Sequence, residues 1–155
     1  MNTQTSHTIN WVNAIVAGII GTVLFDLAGL ALTGQWWDIP GLLGSKLGVG
    51  LIGGLVAHYG NGIAIAIIYA ALAPSLFGPA WVRALSFITV QTVLGVWLFM
   101  LPLLGAGIAG IDLNKLLPVI TLVRHFAYAI PFIFLIQIPR TSITEKCDLS
   151  ATQSV

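Results

Sequence analysis

Four long runs of apolar residues dominate the pattern along this chain, and short polar or proline-containing segments separate them. The runs cover roughly 11–33, 50–73, 80–103 and 117–138. Each is long enough to cross a hydrocarbon core, which needs about 20 mostly apolar residues in a helix. The pattern therefore predicts an all-α bundle of four transmembrane helices in which consecutive helices run antiparallel.

The connection before the second run differs from the others. Residues 34–41, "GQWWDIPG", contain paired tryptophans and a proline, which is typical of an anchor at the membrane interface. The apolar stretch 42–73 that follows is too long for one straight span at about 1.5 Å per residue. Its beginning is rich in glycine and carries Lys46. We therefore expect a short glycine-rich interfacial segment before the second span.

Composition agrees with a membrane protein. Of the 155 residues, 57% are hydrophobic and 7% are charged, whereas soluble domains carry about 25% charged residues. Residues 1–139 are expected to form one integral membrane domain. Residues 140–155 are polar and lack periodicity, which predicts a disordered tail.

Targeting and orientation follow from the charged residues near the ends of the runs. The first run lacks a basic start and is longer than the core of a secretory signal, so we expect it to remain as a span. Three basic residues fall on the side of both termini, and two fall on the other side. This small bias predicts a protein of the cell membrane with cytoplasmic termini.

Charge and cysteine content exclude several classes of function. A net charge of +1 provides no basic surface for nucleic acid. The single cysteine, Cys147, excludes an intramolecular disulfide and cysteine-based metal or iron–sulfur sites. Catalytic and nucleotide-binding motifs are absent, which favours a non-enzymatic function. The expected partners are bilayer lipids and either a homo-oligomer or a larger membrane complex.

Each apolar run carries a polar side chain, and these lie in the same half of the membrane. Counted along straight helices, Asp26, His58 and His125 lie about 10–12 Å from the face opposite the termini. Gln91 lies somewhat deeper. The predicted polar cluster comprises Asp26, His58, Asn61, Gln91, Arg124 and His125.

Arg124 lies within the fourth apolar run, where its positive charge needs a carboxylate partner. A charge near the centre of a span costs about 2.5–3.5 kcal/mol to insert, so Arg124 is expected to face the bundle interior. Asp26 is the one carboxylate within a span, which predicts an Asp26–Arg124 ion pair. Residues at helical spacing share one face of the fourth span. This face carries Thr121, Arg124, His125 and Tyr128.

Small residues recur at every fourth position on the first two spans, which lets membrane helices approach closely. The polar residues Asp26 and His58 belong to these two stripes and are therefore expected to point towards neighbouring helices. The stripes are Ala14, Gly18, Thr22 and Asp26 on the first span, and Gly50, Gly54, His58, Gly62 and Ala66 on the second.

The polar cluster permits several functions. Its plainest role is to hold the helices of a structural or accessory membrane subunit in register, and this is the function that the sequence favours. Alternatively, His58 and His125 ligate a b-type haem, with Arg124 near a propionate. A third hypothesis is transport of a proton, ion or small solute by an oligomer. A fourth is docking onto a larger complex or binding of a quinone or other lipid. The acidic and histidine residues show no metal-site spacing.

Overall fold

The computed structural model describes residues 9–138, and this part of the chain is helical without strands. Four stretches are long and apolar enough to cross a membrane, which confirms the predicted all-α four-helix bundle. The helices are α1 (Trp11–Thr33), α2 (Asp38–Leu47), α3 (Gly50–Leu72), α4 (Ala80–Gln91), α5 (Leu101–Leu103) and α6 (Leu117–Leu135). A π-helix, Thr92–Met100, joins α4 to α5 in one continuous span, and short 3₁₀ turns occupy Ala73–Ser75 and Ile108–Gly110.

Local signals set the helix ends. Before α1, the Asn10 side chain accepts the backbone N–H of Asn13 at 3.0 Å, and Gly34 ends the helix in the left-handed conformation with φ 72°. The last helix ends at Leu135 rather than at residue 138. The side-chain amide of Asn13 donates to the Leu135 carbonyl at 3.0 Å. This bond satisfies a carbonyl that the end of α6 leaves without a helical partner.

The segment before the second span is a helix, which the sequence pattern did not predict. This helix, α2, packs along the start of α3 with almost no space between the two backbones. A Cβ atom on Gly54 would overlap the carbonyl oxygen of Pro40, and one on Gly44 would overlap that of Gly50. Because glycine alone fits at these contacts, α2 lies directly against α3.

The packing of the long helices leaves one side of the bundle open. Helix α1 packs against both α3 and α6, and α6 also packs against α4. In contrast, α3 and α4 make almost no direct contact, although they are consecutive spans. The order around the bundle is therefore α3, α1, α6, α4, with each packed pair antiparallel and a gap between α3 and α4.

The half of the bundle nearer the termini is filled by large side chains. Tyr69, Ile88 and Phe132 are completely buried there. The rings of Tyr69 and Phe132 stack with their centroids 4.9 Å apart. This half contains the main apolar core. The predicted disordered tail, 140–155, lies outside the described residues.

Candidate functional site

The predicted inward face of α6 is confirmed by burial. Thr121, Arg124, His125 and Tyr128 each have 8% or less of their surface exposed. The two stripes of small residues are also buried, apart from Gly50. Gly50 stands at the first turn of α3 with φ 66°, where glycine is favoured.

Arg124 pairs with Asp38, so the predicted Asp26–Arg124 ion pair is wrong. Its two terminal nitrogens donate to the two carboxylate oxygens of Asp38 at 2.6 and 2.8 Å. The side chain of Arg124 is 4% exposed and that of Asp38 is 21% exposed. Burial tends to raise the pKa of Asp38, but hydrogen bonding to Arg124 and its charge outweigh burial and lower the pKa. The pairing differs from the prediction because α2 brings Asp38 over the bundle.

Asp26 contacts His58 instead. The His58 Nε2 atom lies 3.0 Å from Asp26 Oδ1, and the Asp26 side chain is completely buried. The Tyr59 hydroxyl lies 3.5 Å from the other carboxylate oxygen, at the long limit of a hydrogen bond. The contact links α1 to α3.

His125, the other buried histidine, makes its contact through Nδ1 rather than through Nε2. The Nδ1 atom of His125 lies 2.6 Å from the backbone carbonyl oxygen of Thr121. A carbonyl oxygen cannot donate, so Nδ1 carries the proton and Nε2 of the neutral ring is an acceptor. Neither His58 Nδ1 nor His125 Nε2 has a hydrogen-bond partner within residues 9–138.

Phe25 connects these groups, although the sequence pattern gave no reason to single it out. Its ring centroid lies 5.5 Å from that of His58 and 5.0 Å from that of His125. The Arg124 guanidinium carbon lies 4.3 Å from the same centroid, in the geometry of a cation–π interaction. Phe25 directly precedes Asp26 on the buried side of α1, and this position was the one signal available.

A cavity of about 440 Å³ lies beside the two imidazoles. Its walls come from α1, α2, α3, the last residue of α4, the π-helix, α5 and α6, and most of the lining lies in the half of the bundle away from the termini. Two residues that line the cavity, Asn61 and Phe99, are also exposed on the outer surface. The cavity therefore opens through the gap between α3 and α4. Its polar side chains include Thr22, His58, Asn61, Gln91, Thr121 and His125.

The cavity brings together four members of the predicted polar cluster, namely His58, Asn61, Gln91 and His125. The other two lie elsewhere. Asp26 contacts His58 but does not line the cavity, and Arg124 is joined to α2. Four members of the cluster thus line the cavity. Asp26 contacts one of these four, His58, and Arg124 links α6 to α2.

The π-helix forms the wall opposite α3. Its wider turn is unusual, and such segments are often found at functional sites. Gly95, Phe99 and Met100 line the cavity from this wall. Trp97 is half-buried and donates from Nε1 to the Thr121 hydroxyl at 2.8 Å.

Gln91 has an incomplete set of hydrogen bonds. Its Oε1 atom is buried and has no partner within the described residues. A buried acceptor without a partner costs about 1–3 kcal/mol. Gln91 lines the cavity just before the π-helix begins, so its side-chain amide is close to any bound molecule.

The hypothesis that His58 and His125 ligate a b-type haem stays a prediction. A carboxylate on one ring nitrogen, as Asp26 is on His58 Nε2, leaves the other nitrogen of a histidine open to a metal. Within residues 9–138, no group of three or more His, Cys, Asp or Glu side chains is arranged to hold a metal ion.

No family model, curated protein or solved structure matches this chain.

Proposed function

We propose that this protein is a small, non-enzymatic accessory subunit of the cell membrane that binds a lipophilic molecule. The observation that carries this proposal is the cavity in one half of the bundle. Ligand pockets typically have volumes of about 300–1,000 Å³ and mostly apolar walls with a few polar groups. The present cavity has about 440 Å³ and combines apolar side chains with two imidazoles and two side-chain amides.

The gap between α3 and α4 supports entry of the ligand from the bilayer. Phe99 and Asn61 stand at this opening, so an apolar molecule dissolved in the membrane reaches the cavity without crossing water. A homo-oligomer or a larger complex that covers the gap would control this access. We include in the proposal that the protein forms a homo-oligomer or joins a larger complex. We also propose that both termini lie in the cytoplasm.

Transport by an oligomer is the alternative, and the packing of the other half of the bundle supports it less well. Tyr69, Ile88 and Phe132 are completely buried between the cavity and the face that carries the termini. A continuous path through one copy of the chain would need these side chains to move apart. Binding within one half of the membrane needs no such movement.

The proposed orientation places the cavity in the outer half of the membrane. With Cys147 replaced by serine, single cysteines at Gln35 and Asn114 should react with an impermeant maleimide in intact cells. A cysteine at Ser75 should react only after the cells are opened. Labelling of all three positions from the same side would contradict the four-span arrangement, and the reverse pattern would contradict cytoplasmic termini.

Filling the cavity should remove the bound molecule. Ala57 lines the cavity, so phenylalanine at this position would occupy the space that a ligand needs. We expect wild-type protein, purified in mild detergent, to retain a lipophile that native mass spectrometry and solvent extraction detect. The Ala57→Phe variant should lose most or all of this lipophile.

Ala64 provides the matched control, because it lies on the same helix and is exposed but does not line the cavity. Ala64→Phe adds the same side chain without entering the cavity and should retain the ligand. Equal retention by the Ala57→Phe and Ala64→Phe variants would show that the lipophile binds elsewhere. A wild-type protein that carries no lipophile under these conditions would count against the proposed function.

A further inference from the structure

We infer that the ligand is a lipophilic alcohol whose hydroxyl group donates a hydrogen bond to His125. This inference rests on the proposed binding function and specifies the chemistry of the ligand. Its basis is that the His125 imidazole in the cavity wall is held with an unpaired acceptor nitrogen.

The backbone determines which nitrogen of the His125 ring carries the proton. The Thr121 carbonyl oxygen occupies Nδ1 of His125. A carbonyl oxygen only accepts, so it requires a proton on Nδ1. The remaining nitrogen of the neutral ring can only accept.

The surroundings hold the His125 ring in this orientation. Phe25 packs against it with a centroid distance of 5.0 Å, and His125 is 8% exposed. The other neutral tautomer would place the lone pair of Nδ1 against the Thr121 carbonyl oxygen, which is repulsive.

An imidazole acceptor in a mostly apolar cavity favours a ligand that donates. A hydroxyl group satisfies an imidazole nitrogen, whereas an ether, ketone or quinone presents only further lone pairs. A site built to hydrogen-bond a hydroxyl group discriminates against an analogue that lacks it, because the site's own polar group is then left unpaired. The rest of the molecule would lie towards Phe99 and Met100, near the opening between α3 and α4.

The amides of Asn61 and Gln91 are compatible with this ligand. Both residues line the cavity, and a side-chain amide offers both donor and acceptor groups. A hydroxyl group both donates and accepts, so it can bond to such an amide as well as to His125.

Farnesol and its methyl ether test this inference directly, because they share an isoprenoid chain and differ in the hydroxyl proton. Binding of tritiated farnesol to the purified full chain in lipid nanodiscs is measured, and the ether is used as competitor. We expect farnesol to bind at least about fivefold more tightly than the ether, as one neutral hydrogen bond would give.

Variants at His125 assign the preference to the imidazole. His125→Phe keeps a ring against Phe25 but has no acceptor, so it should bind both probes and prefer the alcohol less strongly than wild type. His125→Gln restores an acceptor oxygen and should recover part of the preference even if the phenylalanine variant is unstable. Ala64→Phe should behave as wild type.

The outcomes separate the inference from the function on which it rests. Equal affinity for the two probes, or tighter binding of the ether, would overturn the inference while leaving a ligand-binding cavity in place. An alcohol preference that is unchanged in both His125 variants would also overturn the inference. Binding of neither probe to the wild-type protein would overturn both the inference and the proposed function.

Discussion

Replacing Asp38 with alanine is expected to lower the free energy of unfolding by about 3 kcal/mol. The loss arises mainly at Arg124, whose side chain is 4% exposed and would be left as a buried charge without its carboxylate. The measurement is equilibrium unfolding in mixed micelles, followed by circular dichroism. Asp38 lies in α2 and not in one of the four long spans. The Asp38→Ala variant should therefore have the helix content of wild type before denaturant is added.

A double-mutant cycle identifies the partner of Arg124. Arg124→Met removes the charge but keeps most of the volume, so the Asp38→Ala, Arg124→Met double variant should recover much of the stability lost by Asp38→Ala alone. The same cycle with Asp26→Ala should show much smaller coupling. If the larger coupling belonged to Asp26, the ion pair that the sequence predicted would be correct and the observed pairing would be wrong.

Gly54→Ala is expected to lower the free energy of unfolding by about 1–3 kcal/mol, as is typical of an overpacked contact. The added Cβ atom would overlap the Pro40 carbonyl oxygen in the backbone of α2. Backbone cannot turn aside as a flexible side chain can, so α2 must move away from α3. The expected readout is a lower midpoint in the same micellar unfolding experiment.

Gly60→Ala is the matched control on the same helix. Within the described residues, no atom beyond the neighbouring backbone of α3 lies within 4 Å of a Cβ added at Gly60, and alanine favours a helix over glycine by up to about 1 kcal/mol. This variant should be as stable as wild type or slightly more so. Equal destabilisation by the two substitutions would show that helix propensity, and not the contact between α2 and α3, explains the effect at Gly54.

The position of the four spans and the depth of their polar residues followed from the order of residues alone. In a bilayer, each helix must satisfy its own backbone hydrogen bonds, so an apolar run of sufficient length specifies a span. Helical periodicity then assigned Thr121, Arg124 and His125 to one face, which is buried. Counting along a straight helix placed His58 and His125 at equal depth, and both residues line the same cavity.

Hydropathy could not determine the local structure of two segments. The stretch that forms α2 is short and rich in glycine, so its pattern is weak, and its helix is supported by contacts with α3 that involve Gly44 and Gly54. The π-helix differs from an α-helix by one residue in its hydrogen-bond register. An α-helix and a π-helix can have the same composition, so the apolar run 92–100 did not indicate a π-helix.

Only the tertiary structure decided which helices are neighbours and which charges pair. Arg124 and Asp38 are 86 positions apart, and no periodicity relates residues on different helices. Their contact depends on how closely glycine residues allow α2, α3 and α1 to approach. The sequence by itself determined four spans with polar residues at a common depth, because helix length and rise are local properties. The gap between α3 and α4, and hence the cavity, depended on packing between distant residues.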